Sequence, residues 1–273
     1  MTATTCILCF FLILLVCAGA RADFTFVQIS DTHIGVKEAA YNARYVEVIR
    51  QVNALKPDFV IHTGDALTIW SAENMAPFKE LSKNLSVPMH VIPGNHDITE
   101  IGKISADEAE ARIRAWRDAA GYDHESFEHQ GCVFIGLDSD LYNSKLPEEV
   151  RQMAWLKSQL RKAEGKRIFI FQHQPLFLDK PDEPANYWVV AEPARGELLK
   201  LFRQHKVEAV LTGHLHRFNE AYFDRISFIS TPATSFSCAA DKGLTGYRVF
   251  KITDVGFSSR FVDMRTKGTP AEF

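Results

Sequence analysis

The chain predicts a layered α/β fold, and three observations carry that reading. Short apolar runs alternate with longer segments of helical spacing along most of the chain. Five of the apolar runs end in short polar clusters, as strands do when they deliver side chains to one edge of a sheet. Alternating runs between residues 222 and 261 read as antiparallel strands and suggest a second sheet packed on the first.

Phe24–Ile29 reads as the first strand. Tyr41, Tyr45, Val48, Val52 and Leu55 recur at helical spacing and define one apolar face, and Pro57 stops that helix. Residues 59–62 form a second strand leading into Thr63-Gly64-Asp65, and 75–85 a short helix. Met89–Ile92 is a third strand, leading into Pro93-Gly94-Asn95-His96-Asp97. Residues 107–119 form a helix with Ser105 as its N-cap, and 133–137 a strand. The helix 148–162 starts behind Pro147, which suits a first helical position. Arg167–Gln172 is a strand ending at His173, Ala194–Gln204 a helix, and 207–211 a strand ending at Thr212-Gly213-His214. The stretch 174–193 is long and rich in proline, and loops of that length are usually functional or disordered.

The 273 residues suit one α/β domain or a tight pair. A net charge of -3 offers no basic footprint, so no specific nucleic-acid binding is expected. Residues 6–17 are an unbroken apolar run, too short for a good membrane span. Ala20 and Ala22 flank Arg21 in the pattern of a cleavage site. Residues 1–22 are therefore expected to be a cleaved signal peptide, leaving one domain over 23–273 in a secreted or otherwise extracytoplasmic protein. Cleavage after Ala18-Gly19-Ala20 is the alternative site, and a retained anchor the alternative fate, since no Lys or Arg precedes the run. No transmembrane segment is expected in the mature chain. Three of the five cysteines lie in this leader, which leaves Cys132 and Cys238. Cys132 opens an apolar run and reads as a buried thiol, while a disulfide with Cys238 stays open in an oxidising compartment.

The polar clusters at the strand ends are Asp31-Thr32-His33, Gly64-Asp65, Gly94-Asn95-His96-Asp97, His173 and Gly213-His214-Leu215-His216. Imidazole, carboxylate and amide oxygen together favour transition metals such as Fe, Mn or Zn over Ca or Mg. The i, i+2 spacing lets Asp31 and His33 reach one ion, and His214 and His216 two adjacent ions. Glycine before a candidate ligand permits positive φ or close backbone approach.

This ordered set, from Phe24 to about His216, resembles the calcineurin-like metallophosphoesterases. The resemblance implies a metallo-dependent phosphatase-like sandwich, with two facing mixed β-sheets flanked by helices. It implies two metal ions, the first held by Asp31, His33, Asp65 and His216, the second by Asp65, Asn95, His173 and His214. Asp65 would bridge them. A metal-bridging hydroxide would attack the phosphorus of a phosphate mono- or diester. His96 would protonate the leaving alkoxide, with Asp97 fixing its orientation. Asn95 and His96 would also touch the substrate. Arg217, which follows the last candidate ligand, reads either as a phosphate clamp or as one half of a surface ion pair. Purple acid phosphatases place a tyrosine three residues after the bridging aspartate, where this chain has Thr68, so an Fe–Tyr centre is not expected. The G-D-x-V-D-R-G and G-N-H-E blocks of calcineurin itself are absent. The blocks around His173 and His214 look nearer to the cyclic-nucleotide phosphodiesterases and the vertebrate calcineurin-like phosphoesterase-domain proteins. The alternative reading is an exported, non-catalytic binding protein on the same fold, which the filled ligand positions disfavour.

The remaining candidates carry blander readings. His62 and His90 lie within strands and read as core or supporting groups, and His124, His129 and His205 as surface residues. Tyr187 and Trp188 either form a lid that stacks on substrate or pin their loop to the core. The acidic residues 179–183 read as a solvated face.

Overall fold

The computed structural model describes residues 23–98, 103–238 and 243–265, so the expected signal peptide lies outside the described residues. Strands β1 (Phe24–Ile29), β2 (Phe59–Thr63) and β3 (Met89–Ile92) alternate with helices α1 (Ala39–Leu55) and α2 (Ala72–Ser82). Helices α3 (Asn95–Ile98) and α4 (Ala106–Ala120) follow, then strands β4 (Glu125–His129) and β5 (Cys132–Leu137). Helix α5 (Pro147–Lys162), strand β6 (Arg167–Gln172), helix α6 (Ala194–Gln204) and strand β7 (Ala209–Thr212) continue the alternation. Strands β8 (Asn219–Phe223), β9 (Ile226–Ser230), β10 (Gly246–Thr253) and β11 (Gly256–Asp263) complete the described chain.

The strands pair into two mixed sheets, one in the order β11-β10-β1-β2-β3 and the other β4-β5-β6-β7-β9-β8. Side chains on successive strand residues point to opposite faces. In β1, Phe26 faces the other sheet and Val27 the helices; Phe59 and Val60 repeat this in β2, and Phe134 and Ile135 in β5. Both faces of each sheet are therefore buried, which is why the strands read as near-continuous apolar runs. Between the sheets, the Phe26 ring stacks on Phe59 at 5.2 Å and on Phe250 at 4.7 Å, with Phe134 edge-on at 5.3 Å. Tyr45, Val48, Val52, Phe78 and Trp116 cover the outer face of the first sheet. Leu156, Leu160, Leu198 and Phe202 cover that of the second. The layers run helix, sheet, sheet, helix.

Ser105 accepts a hydrogen bond from Glu108 N at 3.2 Å, as an N-cap there should. Helix α2 begins three residues earlier than its apolar pattern suggests, because Ser71 accepts from Asn74 N at 3.0 Å and fixes the start. Strand β4 escapes sequence reading, since Phe127 is its one large apolar residue. It pairs with β5 across Gln130 (φ 49°) and Gly131 (φ 74°), a two-residue hairpin turn. The tail corrects one expectation: it does not build a separate second sheet. Its first two strands extend the second sheet, and β10 inserts between β11 and β1 in the first. Strand β10 buries Val249 toward the helices and Phe250 toward the other sheet, so it needs two covered faces.

The proline-rich stretch is pinned by buried Leu176, Phe177, Val189 and Val190. Its acidic residues are not simply a solvated face: Glu183 accepts from the backbone N–H of Leu178, Asp179 and Lys180. Cys132 is buried, Cys238 is exposed, and both are free thiols, so the disulfide left open by the sequence is not formed. Among the described residues, no helix is long and apolar enough to cross a membrane.

Candidate metal centre

The carboxyl ends of β1, β2 and β3 in one sheet and of β6 and β7 in the other open onto the same point. Asp31 and His33 follow β1, Asp65 follows β2, Asn95 opens α3 after β3, His173 follows β6, and His214 and His216 follow β7. All seven are buried. The donor atoms of Asp31, His33, Asp65 and His216 lie within 4.8 Å of one another, and so do those of Asp65, His173 and His214. The two groups share Asp65. Asn95 joins the second, its Oδ1 lying 3.1 Å from His173 Nε2.

The local backbone explains how so many bases crowd together. Asp31, His33, Asp65, His214 and His216 all have positive φ, from 48° to 65°. Such left-handed conformations cost energy for non-glycine residues and concentrate at functional sites. Ladder-like bonds hold them: Asp31 N donates to Gly64 O at 3.0 Å, and His33 N to Asp65 O at 3.1 Å. Gly213 is required by contact rather than by φ, since a Cβ there would collide with Ser30 and the Asp31 carboxylate.

The hydrogen bonds assign the ring protons. His173 Nδ1 lies 2.8 Å from Thr63 O, His216 Nδ1 2.9 Å from Phe236 O, and His214 Nε2 3.1 Å from Tyr187 O. A carbonyl only accepts, so each of these nitrogens carries its hydrogen and the other nitrogen of each neutral ring presents a lone pair. Those lone pairs face other bases. His214 Nδ1 is 3.2 Å from His173 Nε2, and His216 Nε2 is 3.2 Å from His33 Nε2 and 3.1 Å from Asp31 Oδ1. Asp31 Oδ1 is buried without a hydrogen bond. Bases held face to face in this way repel unless a proton or a metal ion lies between them, and in the bare protein the proton that Asp65 holds on His173 supplies part of that charge. Metal-bound histidines also characteristically donate their second N–H to a carbonyl, as these do. The residues therefore fit a pair of transition-metal ions.

The titration of the cage has the same character. Burial pushes Asp31 up, but His216 and His173 outweigh it and bring the carboxyl down to about 2. Asp65 is lowered well below the ordinary range: burial opposes, and His173 dominates through charge and hydrogen bond. Burial disfavours charge on His173, yet Asp65 raises it to about 10. Burial lowers His33 and His214 to about 4. The cage thus draws positive charge to its centre even as a bare protein.

His96 stands at the rim, its ring edge-on to His33 at 4.8 Å. Its backbone N–H donates to Asp65 Oδ1 at 2.9 Å, and its Nδ1 lies 2.6 Å from Thr68 O. That leaves Nε2 as the reactive nitrogen. One expected role needs correction: Asp97 does not orient the His96 ring. Its carboxylate accepts from the backbone N–H of Ala66, Leu67 and Gly94 at 2.8 to 3.0 Å, tying the loop after β2 to the loop after β3. Burial, with Asp65 nearby, pushes Asp97 up to about 7. The ring is oriented instead by the carbonyl of Thr68, whose hydroxyl donates to His33 O at 2.6 Å.

Supporting groups surround the cage. His62 Nε2 lies 2.9 Å from Thr32 Oγ1, behind the first loop, so it acts from within the core. His90 stacks on Phe127 at 3.5 Å and faces Glu125, outside the cage. His129 bonds Asp58 at 3.1 Å, and His124 lies against Trp155. Arg217 is half-buried beyond His216 and makes no ion pair with a described residue. Tyr187 and Trp188 lie beside His214, with ring centroids 5.0 and 5.6 Å from the imidazole. Phe236 walls the other side, 4.3 Å from His216 and 5.2 Å from His33. Thr63, Thr68 and Phe236 act through backbone carbonyls, which leave no side-chain signature in a sequence.

A family model described as calcineurin-like phosphoesterase matches residues 24–218. The serine/threonine-protein phosphatase CPPED1 of Mus musculus is 28% identical over 263 residues, covering 85% of this chain and 81% of that one. A probable glycerophosphodiester phosphodiesterase GpdQ of Arcobacter nitrofigilis is 32% identical over 227 residues, covering 79% of this chain and 80% of that one. The crystal structure of a dimetal phosphatase from Danio rerio shares the fold, with a TM-score of 0.61 at 14% identity over 86% of this chain and 98% of that one.

Proposed function

Because the chain belongs to the calcineurin-like phosphoesterase family, we propose that it hydrolyses phosphate mono- or diesters at a two-metal centre built on Asp65. The observation that carries this reading is the cage of facing lone pairs, which asks for cations at two adjoining positions that share one carboxylate. Asp31, His33, Asp65 and His216 would hold one ion, and Asp65, Asn95, His173 and His214 the other. Bound ions of this kind neutralise phosphoryl oxygens and lower the pKa of water from about 15.7 to about 7, so that it attacks at neutral pH.

The protein's own residues do the rest. His96 holds its Nδ1 proton against Thr68 O and delivers a proton from Nε2 to the departing ester oxygen. Asp97 holds the two ligand loops in register through three hydrogen bonds accepted from backbone N–H groups. Tyr187 and Phe236 flank the site and narrow the approach of water. Arg217, next to His216, is our candidate for a contact to a phosphate oxygen through its planar fork. The apolar run at residues 6–17 supports export of the protein. Mouse CPPED1 is named as a phosphatase of phosphoproteins and the Arcobacter relative as a probable diesterase, so both ester types belong in the test. Hydrolysis of p-nitrophenyl phosphate and bis(p-nitrophenyl) phosphate is measured with Mn²⁺ or Zn²⁺, before and after chelation. Chelation is expected to abolish turnover and added metal to restore it. Turnover indifferent to chelator would sink the two-metal reading.

A further inference from the structure

We propose that the mouth of the metal cage is an apolar subsite that selects phosphate esters of hydrocarbon alcohols, an inference that rests on the phosphoesterase reading above. Two aromatic pairs wall the mouth. Beside the first ligand group, the ring of Phe236 is centred 4.3 Å from His216 and 5.2 Å from His33, and Tyr41 stacks on it at 5.5 Å. Beside the second, Tyr187 and Trp188 are centred 5.0 and 5.6 Å from His214 and meet edge-on at 5.0 Å. Ile69 stands by His96. It follows Thr68, whose carbonyl meets that ring, and precedes Trp70, whose N–H donates to His96 O.

These walls commit their polar backbone groups to the cage. Phe236 O holds His216, Tyr187 O holds His214, and Thr68 O holds His96. The Tyr187 hydroxyl meets the Asn95 amide at 3.4 Å, and the Trp188 N–H donates to Asn186 Oδ1. What the walls offer a substrate is chiefly ring and hydrocarbon surface: Ile69 is 54% exposed, Tyr187 48% and Trp188 36%. Single exposed apolar residues are ordinary, but these neighbour one cage. A phosphoryl group seated at the cage, with its leaving oxygen at His96 Nε2, would direct the alcohol out over this surface. Aromatic walls gain most from a partner that is itself apolar. In the reaction, the phosphorus–oxygen bond to the alcohol breaks and water supplies the new oxygen on phosphorus. A proton delivered by His96 completes the free alcohol.

The test uses methyl, butyl and hexyl phosphate and their methyl diesters, below micellar concentrations, on the metal-supplemented full chain. Their alcohols are of nearly equal basicity, so length alone changes. The value of kcat/KM is expected to rise about two- to fourfold per methylene. Hexyl phosphate is expected to exceed 6-hydroxyhexyl phosphate about tenfold, because the terminal hydroxyl would lose its water. In Trp188→Ala combined with Phe236→Ala, the rise relative to that variant's own rate on methyl phosphate is expected to flatten. Thermal melting and elemental analysis check that this variant folds and keeps its metal. Calorimetric titration of the unmodified chain with hexylphosphonate and 6-hydroxyhexylphosphonate reads the subsite without turnover. Hexylphosphonate is expected to bind more tightly, with a more negative heat-capacity change. A series that is flat or falls with length, or a rise that survives in the folded double variant, overturns the subsite. A rise seen only with lipid phosphates in vesicles overturns the assignment to a single alcohol. If p-nitrophenyl phosphate is never hydrolysed but hexylphosphonate still binds more tightly than its hydroxylated partner, the phosphoesterase reading has failed and the apolar subsite has not.

Discussion

Thr68 shows how much of this site lies in groups that do no chemistry themselves. Its hydroxyl holds the backbone of His33 and its carbonyl holds the ring of His96, so one residue positions a candidate ligand and a candidate acid. With Nδ1 committed, His96 faces the centre through Nε2 alone. His96→Ala is expected to lose about 10²–10⁴ in kcat, while elemental analysis shows metal content unchanged. Loss of one ion in that variant would make His96 a ligand instead. The seven candidate ligands were legible in the sequence because each is a side chain of distinctive chemistry in a fixed order. The resemblance implies that Asp97 orients the His96 ring, and the hydrogen bonds of the folded chain give that carboxylate another task. The carboxylate is in fact turned the other way, onto the amides of the two loops.

At the scale of elements, α4 is tied to the turn that leads into β4 by a charged clamp that the sequence did not announce. Arg117 meets Asp123 through both carboxylate oxygens, at 2.8 and 2.7 Å. Burial pushes Asp123 up, but His124 at 3.0 Å and the two hydrogen bonds from Arg117 outweigh it and bring the group down to about 2 from its ordinary 3.8. A folded pKa below the unfolded one stabilises the protein above the unfolded pKa, and that contribution is lost as pH falls through the folded value. Arg117 is a third exposed, so the contribution is screened to about 1–2 kcal/mol. Asp123→Asn is therefore expected to cost about that much in urea unfolding at pH 7, and roughly half as much at pH 3. Both proteins are compared in chelator, so that metal loss plays no part. A gap that does not change with pH would assign the effect to lost shape rather than lost charge. Helix α1 was legible from its apolar spacing, and α5 from the proline at its start. Strand β4 was not, because an edge strand half in water has no need of a continuous apolar run.

Across the whole molecule, the phenylalanine layer between the sheets sets the distance at which the two sets of strand ends meet. Phe26 is fully buried there between Phe59 and Phe250. Phe26→Ala is expected to lose about 3–5 kcal/mol in denaturant unfolding of the chelator-treated protein. A loss below about 1 kcal/mol would mean that the layer collapses onto the gap, against the close packing usual in protein cores. The layered plan was legible in the alternation of short apolar runs with segments of helical spacing. The destination of the last two strands was not, because antiparallel alternation fits either sheet equally and only the pairing of β10 with β1 decides it.

Asp31, His33, Asp65 and Asn95 grow from one sheet, and His173, His214 and His216 from the other. An ion seated among them is therefore a clasp across the seam as well as a reagent. Stripping it leaves like-natured bases facing one another at the top of a joint that hydrophobic packing, cross-seam hydrogen bonds such as that from Gln28 to Thr212, and ion pairs such as Arg248 with Glu220 still close. Occupancy by a tight-binding cation, at about a hundredfold above its dissociation constant, adds roughly 2.7 kcal/mol to the fold. If the centre holds metal as proposed, starvation for metal would disarm and loosen the molecule in the same event.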